Sequence, residues 1–595
     1  MKKIALFIIT LLLVFGNTSC SDFLDKEVDL SLTEENVFSS VENTRRFLAN
    51  VYSNLPDPFH GIRRDAQFRG AFHDLMTNNA ISYWNVHRYH SVLTDGYSAA
   101  DHWFAIDYWP RHFRGIRAAN QLMKNARVSV LGNTVTNDDN SQLYDRYMAE
   151  ARLLRAIFHF EATCWFGPIP IIGDDEEGIP IVLGSDETEK MNMSRVPVAD
   201  VLKWIADECD AVKNTLPYRY TNEAENWGRV NGATAYALKS RALLYRASPL
   251  NNPTNDITLW QQAATAATDL IQKNSNEPFN YKLYRTADDD INRNYYECFI
   301  VTPFLNDEFI LTSFVRLMNS IETEMSPPGF QGAATGVGRA NPTQNLVDSY
   351  ETLNGLPIDE DPSYDEQNPY VNRDPRFSQT ILHHGAIWGD PVQEEERPID
   401  VSYPNGRDFQ SLHGGTYTGY YPKKYVNNMS FKVPVNYLHA FPIFRYGEVL
   451  LNAAEAINEA YGPSDAYQYV NEVRARVGMP PYGGMTQEQL RERIRNERRV
   501  ELCFEDHWWF DERRWKLFEN QTMESEKSLP RYKQCYNIYG VRVTPGEDIV
   551  YNYGPAQLHP KRTLLSPKSY YFPIPDSEVK KAPNLGQNPG WELSE

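Results

Sequence analysis

Glu497, Glu501 and Glu505 stand four residues apart in the run Ile494–Glu505, and on a helix that spacing puts all three carboxylates on one face. Two carboxylates flanking a cleft are the acid and base of a glycosidase. A like-charge row also destabilises its helix unless cations neutralise it. Arg498, Arg499, Arg513 and Arg514 are the sequence neighbours that could do so. The Arg-rich setting favours a structural ion-pair lattice over a catalytic pair.

A second chemistry is legible between Asn78 and Trp109. There Tyr83, Trp84, Tyr89, Tyr97, Trp103, Tyr108 and Trp109 are interleaved with Asn78, Asn79, His87 and Asp101. Aromatic faces cover the C–H face of a sugar ring while amides, imidazoles and carboxylates fix its hydroxyls. Trp103, Tyr108 and Trp109 lie close to helix spacing and are expected in the core. Tyr83 and Trp84 are the expected platform, with Asn78 and His87 as hydroxyl partners.

Other chemistries are poorly served. Cys164, Cys209, Cys298, Cys503 and Cys535 are odd in number and scattered, giving neither a disulfide framework nor a zinc pattern. His383-His384 and His87/His90 lack the HExxH arrangement of a metalloprotease. Gly329–Gly338 carries four glycines without the GK[ST] ending of a phosphate loop, and reads as a mobile surface turn. No metal and no cofactor is expected.

The elements that must position these residues are mostly helices. Tyr446, Val449, Leu450, Ala453, Ala454 and Ile457 recur on one helix face that Gly462-Pro463 ends. Ser464 is the expected N-cap of a second helix, which Gly478 and Pro480-Pro481 break. Thr486 and Gln489 have capping-box spacing for a third. Upstream, helical patterns open at Thr33 and run through Tyr52, then cover Trp103–Arg127, Tyr144–Phe166, Pro197–Leu216, Asn231–Ala247 and Trp260–Lys273. Between Glu277 and Ala440 the long periodicity is lost and Pro, Gly, Asn and aromatics rise. Cys298–Thr302 and Phe309–Phe314 read as short strands inside a folded, loop-rich insertion.

Composition agrees with one large globular unit. Among 595 residues 42% are hydrophobic, and the 36 tyrosines exceed what a core absorbs, so many must lie near the surface. Lys plus Arg number 59 against 78 Asp plus Glu, a net charge of −19, or −21 once Lys2 and Lys3 leave with a leader. That acidity disfavours nucleic acid and anionic lipid. The leader reads from Lys2-Lys3, an apolar run from Ile4 to Phe15 too short to span a membrane, and small residues before Cys20. Asn17-Thr18-Ser19-Cys20 is similar to a bacterial lipobox with Asn17 in place of the usual Leu, which would make Cys20 the acylated residue.

FRYGEVLLNAAEAINE, YVNEVRARVG and IRNERRVELCFEDHWWFDERRW resemble the C-terminal blocks of the SusD/RagB family of surface glycan-binding lipoproteins. MAEARLLRAIFHFEATCWFGPIPI, NRDPRF, TGYYPKKY and YYFPIPDSEV extend the resemblance over nearly the whole chain. Asp506 stands where the family usually has Gly, and Asp tolerates the left-handed conformation better than most residues. The resemblance implies a mainly α, tetratricopeptide-like helical-repeat scaffold with an inserted loop-rich cap, although no clean 34-residue period is visible. The implied divisions are a leader at 1–19, helical regions at 20–276 and 441–595, and a cap at 277–440.

The same resemblance implies a non-catalytic glycan-binding lipoprotein of the outer-membrane surface, delivering an oligosaccharide or polysaccharide to a SusC-like TonB-dependent transporter. Ser21-Asp22 and Asp25-Lys26-Glu27 resemble the segment that sends such lipoproteins there. The implied glycan site uses the aromatic region before Trp109–Lys124, helped by Tyr281, Tyr284, Tyr295 and Tyr296 of the cap. A peptide-binding RagB-like receptor and a surface glycoside hydrolase are the alternatives; the first would use extended backbone pairing, the second two carboxylates in a cleft.

Overall fold

The computed structural model describes residues 34–59, 72–84, 89–100, 103–132, 142–173 and 192–592. The expected leader, Cys20 and His87 lie outside the described residues.

Helix starts follow local chemistry. The Ser40 side chain accepts from the Asn43 backbone N–H to open α1 (Val41–Tyr52). There follow α2 (Trp103–Asn125), α3 (Leu143–Phe166), α4 (Val198–Val212), α5 (Gly232–Ala247) and α6 (Ile257–Ser275). Asn231 and Thr234 cap α5 reciprocally, and Asp256 caps α6. Each helix packs on the next, α1 on α2 through to α5 on α6, which is the sequential stacking of a helical-repeat scaffold. Ala233, Ala237 and Ala242 on α5 are buried, so the neighbouring backbones can approach closely.

The chain then leaves α6 and returns to it, because α7 (Tyr446–Tyr461) packs directly against α6. Ala453, Ala454 and Ala456 are fully buried on α7, which also carries α8 (Tyr467–Ala475) and α9 (Gln487–Glu501). Gly462 ends α7 at φ +91°, and Thr486 and Gln489 form the capping box at the head of α9. Ser464 is not a cap. Pro463 to Ala466 form a turn instead, and α8 starts at Tyr467 with no side-chain cap.

Sheet structure is minor, with only two-stranded pairings among the described residues. The pairings relevant here are β1 (Ala80–Ser82) with β4 (Ala340–Pro342) and β2 (Phe309–Thr312) with β6 (Pro442–Arg445). Further pairs are β3 (Arg316–Met318) with β5 (Tyr437–His439) and β7 (Tyr539–Thr544) with β8 (Val550–Pro555). Phe309–Thr312 is a strand as expected, but Cys298–Thr302 is not. Cys298 closes a short helix begun at Asn294, and Asn306 donates to its carbonyl at 2.7 Å, which turns the chain there. The glycine-rich stretch is also more than a surface turn. Gly336 and Gly338 are buried, and a Cβ on Gly336 would lie 2.2 Å from the Pro327 carbonyl oxygen, so close backbone contact requires the glycine.

The glutamate row of α9 is neutralised, but not by the arginines near it in sequence. Glu501 accepts from Arg376 at 3.0 Å, Arg445 at 2.8 Å and Arg476 at 2.5 Å. Glu497 is held by Arg376 and Arg474, and Glu505 by Arg445 and Lys424. Arg498 and Arg514 serve Glu455 and Asp511 instead, Arg513 serves Glu512, and Arg499 reaches no carboxylate. Burial would raise the Glu501 carboxyl, but Arg476, Arg445 and Arg376 together hold it far below the usual range. These carboxylates are buried and each is held by at least two cations.

Candidate functional site

An aromatic platform is assembled where β1 meets β4. Ile81 pairs with Asn341, and the Tyr83 N–H donates to the Arg339 carbonyl at 3.0 Å, carrying the antiparallel pairing one residue past β1. Trp84 comes next, its N–H donating to Ser82 Oγ at 3.1 Å. The Arg339 guanidinium lies over the Trp84 ring, 4.5 Å from its centroid, and is tethered to Glu324 at 3.0 Å.

A loop from the far side completes the platform. Asn341, fully buried, donates to the Gly415 carbonyl at 3.1 Å and accepts from the Tyr417 N–H at 3.0 Å. That amide fixes Tyr417, whose ring stacks on Tyr83 with centroids 4.6 Å apart and planes 22° apart. Gly415 is necessary there, since a Cβ would lie 2.6 Å from the Phe409 carbonyl oxygen and 2.8 Å from the Tyr83 ring. Tyr83, Trp84 and Tyr417 are all partly exposed, and partial burial raises both tyrosine hydroxyls above their ordinary range, so they stay protonated donors at neutral pH. The paired side chains of Gln410 and Gln557, 3.3 Å apart, are exposed on the same loop cluster, where the Gln557 N–H reaches the Tyr417 carbonyl.

The sequence-predicted partners separate. Asn78 is buried, donating to the Gln534 carbonyl at 2.6 Å and accepting from Trp508 Nε1 at 2.7 Å and from Arg499. Its amide is thereby engaged at both ends and ties the segment before β1 to α9 and α10 (Trp508–Arg514). Tyr296 is partly exposed but is held elsewhere, donating to the Val426 carbonyl at 2.6 Å with the Lys423 ammonium 4.8 Å from its ring centroid. Tyr281 and Tyr295 are core residues, and Tyr295 donates into the ion-pair lattice at the Glu501 carbonyl. Trp109 is buried, as its spacing predicts.

Sequence reading missed Tyr417 and Arg339. The signal for the first was Gly414-Gly415-Thr416-Tyr417, a close-approach glycine followed by an aromatic. Arg339 carried none, because its role depends on a pairing between two strands far apart in sequence, Ala80–Ser82 and Ala340–Pro342. The cysteines described are all free thiols, and no group of three or more His, Cys, Asp or Glu among the described residues is arranged to hold a metal ion. No helix among them is long and apolar enough to cross a membrane.

Comparison with known proteins bears on both halves of the chain. Residues 308–591 match the model described as the SusD family, and residues 22–244 match one described as starch-binding and associating with the outer membrane. SusD-like protein P2 of Formosa agariphila is 24% identical, covering 99% of this chain and 100% of its own. A SusD-like protein from Bacteroides fragilis superposes with a TM-score of 0.73 at 21% identity, over 94% of this chain and 99% of its own. A SusD-like carbohydrate-binding protein from the same species gives a TM-score of 0.68 at 25% identity, over 93% and 100%. With the helical scaffold and both sequence models in agreement, the chain belongs to the SusD/RagB family.

Proposed function

We propose that this chain is a non-catalytic glycan-binding lipoprotein of the outer-membrane surface, which passes an oligosaccharide to a SusC-like TonB-dependent transporter. The stacked Tyr83–Tyr417 pair beside Trp84 carries the reading. Stacking covers one face of each tyrosine and leaves partly exposed ring surface beside Trp84 with the tyrosine hydroxyls, and the Gln410 and Gln557 amides are exposed on the same loop cluster. That is the surface a sugar ring covers. Residues 277–440 act as the cap over helical regions 20–276 and 441–595, and the return of the chain from α6 to α7 across that segment supports this division. His87, in sequence next to the platform, supplies a hydroxyl partner.

Trp84→Ala should weaken oligosaccharide binding by roughly 2 kcal/mol, about thirtyfold, with little change in circular dichroism. Isothermal titration against a panel of neutral oligosaccharides reads the effect; wild-type affinity in Trp84→Ala would move the platform elsewhere. Membrane attachment is proposed at Cys20. Cys20→Ala should release the protein to the soluble fraction, and quantitative retention with outer membranes would require another anchor.

A further inference from the structure

Among the described residues, every buried arginine but two faces a carboxylate within ion-pair distance. Arg373 is enclosed by the carbonyls of Pro369, Val347 and Tyr350 at 2.7–2.8 Å. Arg499 is different. It is 3% exposed, donates only to neutral acceptors, namely Asn79 Oδ1 at 2.7 Å, the Tyr532 carbonyl at 2.6 Å and Asn78 Oδ1 at 3.3 Å, and lies 4.3 Å over the Trp508 ring. It also lines a cavity of about 640 Å³ between α9 and the 517–535 segment. A guanidinium removed from water with no counter-ion is unfavourable, and burial accordingly draws its pKa down to about 10.

The cavity has the size and surface of a small-ligand site. Trp508, Tyr532, Met485 and Leu529 supply apolar wall, while Gln489 and Asn496 supply amides. Three carboxylates line it together with Arg493, Arg495 and Lys533. Glu360 is held by Arg493 at 2.6 Å and Glu492 by Arg495 at 3.5 Å, and Glu488, in the first turn of α9, is offset by the Lys533 ammonium, which leaves the charge of Arg499 uncompensated. One negative charge balances it, and a planar carboxylate suits a guanidinium better than a compact anion does.

We propose that this cavity is a second ligand site, separate from the aromatic platform, for a monocarboxylate of sugar size such as a uronic acid, with Arg499 as its charge partner. Asn78 lines it, whereas Tyr83 and Trp84 do not. The proposal therefore stands or falls apart from the platform reading.

Isothermal titration of the intact protein with sodium D-glucuronate, D-glucose and sodium sulfate tests it. Glucuronate should bind at least about tenfold more tightly than glucose, and Arg499→Gln should remove about that factor. Leu529→Trp, which obstructs the cavity without touching Arg499, should weaken glucuronate similarly, while Trp84→Ala should leave it unchanged. If Arg499→Gln does not fold, Leu529→Trp decides alone. The proposal is overturned if glucose matches glucuronate, if sulfate displaces glucuronate at equal concentration, if no binding occurs at millimolar ligand, or if the cavity variants bind as wild type.

Discussion

Asp74 shows how much a single buried group can set. One of its carboxylate oxygens accepts from Asn79 at 2.7 Å, the other has no hydrogen-bond partner, and burial lifts its pKa from 3.8 to about 7. A carboxyl whose folded pKa lies above its unfolded value favours the folded state most below the unfolded value and loses that contribution as pH rises through the folded one. The thermal midpoint should therefore gain from this group at pH below about 4 and lose that gain as pH rises past about 7. Asp74→Asn should flatten this component, seen by scanning calorimetry across that window; an unchanged pH profile would discard the assignment. Other residue-scale expectations fared unevenly. Asp506 does sit in the left-handed region, at φ +63°, and also holds His73 at 2.7 Å. An amide among aromatics suits a sugar hydroxyl, but Trp508 and Gln534, far away in sequence, occupy the side chain of Asn78.

At the scale of elements, α9 separates what is local from what is not. Its capping box is legible at Thr486 and Gln489 because the two partners lie three residues apart and close on themselves. Ser464 fails as a cap for an equally local reason, since the turn after Gly462-Pro463 extends to Ala466 before α8 begins. The glutamate row forms a buried ion-pair lattice, as its Arg-rich setting predicts, but its partners are not the arginines nearest in sequence. Arg376, Arg445, Arg474 and Arg476 arrive from four other positions, whereas Arg498 and Arg499 point off the face that carries the glutamates. Glu501→Gln should destabilise the fold by about 3 kcal/mol or more, because removing one member leaves buried guanidiniums short of charge. Chemical denaturation would measure this, with oligosaccharide affinity of the folded variant unchanged. Full stability with lost ligand binding would assign Glu501 to the site.

Across the whole molecule one hydrophobic cluster runs from Phe38 to Leu585 and takes in helices, cap strands and C-terminal segments alike. The ion-pair lattice crosses the same boundary, joining Glu308, Arg376 and Lys424 to α9 and its flank. Calorimetry should accordingly show one cooperative unfolding transition for the described scaffold and cap; two resolved transitions would mean that they unfold independently. Sequence alone determined the helices, most of their ends, the loop-rich interval between α6 and α7, and Tyr83 and Trp84 as a candidate platform. Those features rest on spacing, capping and composition within a few turns of chain. Tertiary structure alone decided that Tyr417 stacks on Tyr83, that Arg339 covers Trp84, which arginines neutralise α9, and that Arg499 is left without a carboxylate. Each of these joins residues far apart in sequence, and no local periodicity records which distant side chain will fill a buried charge or meet an aromatic face.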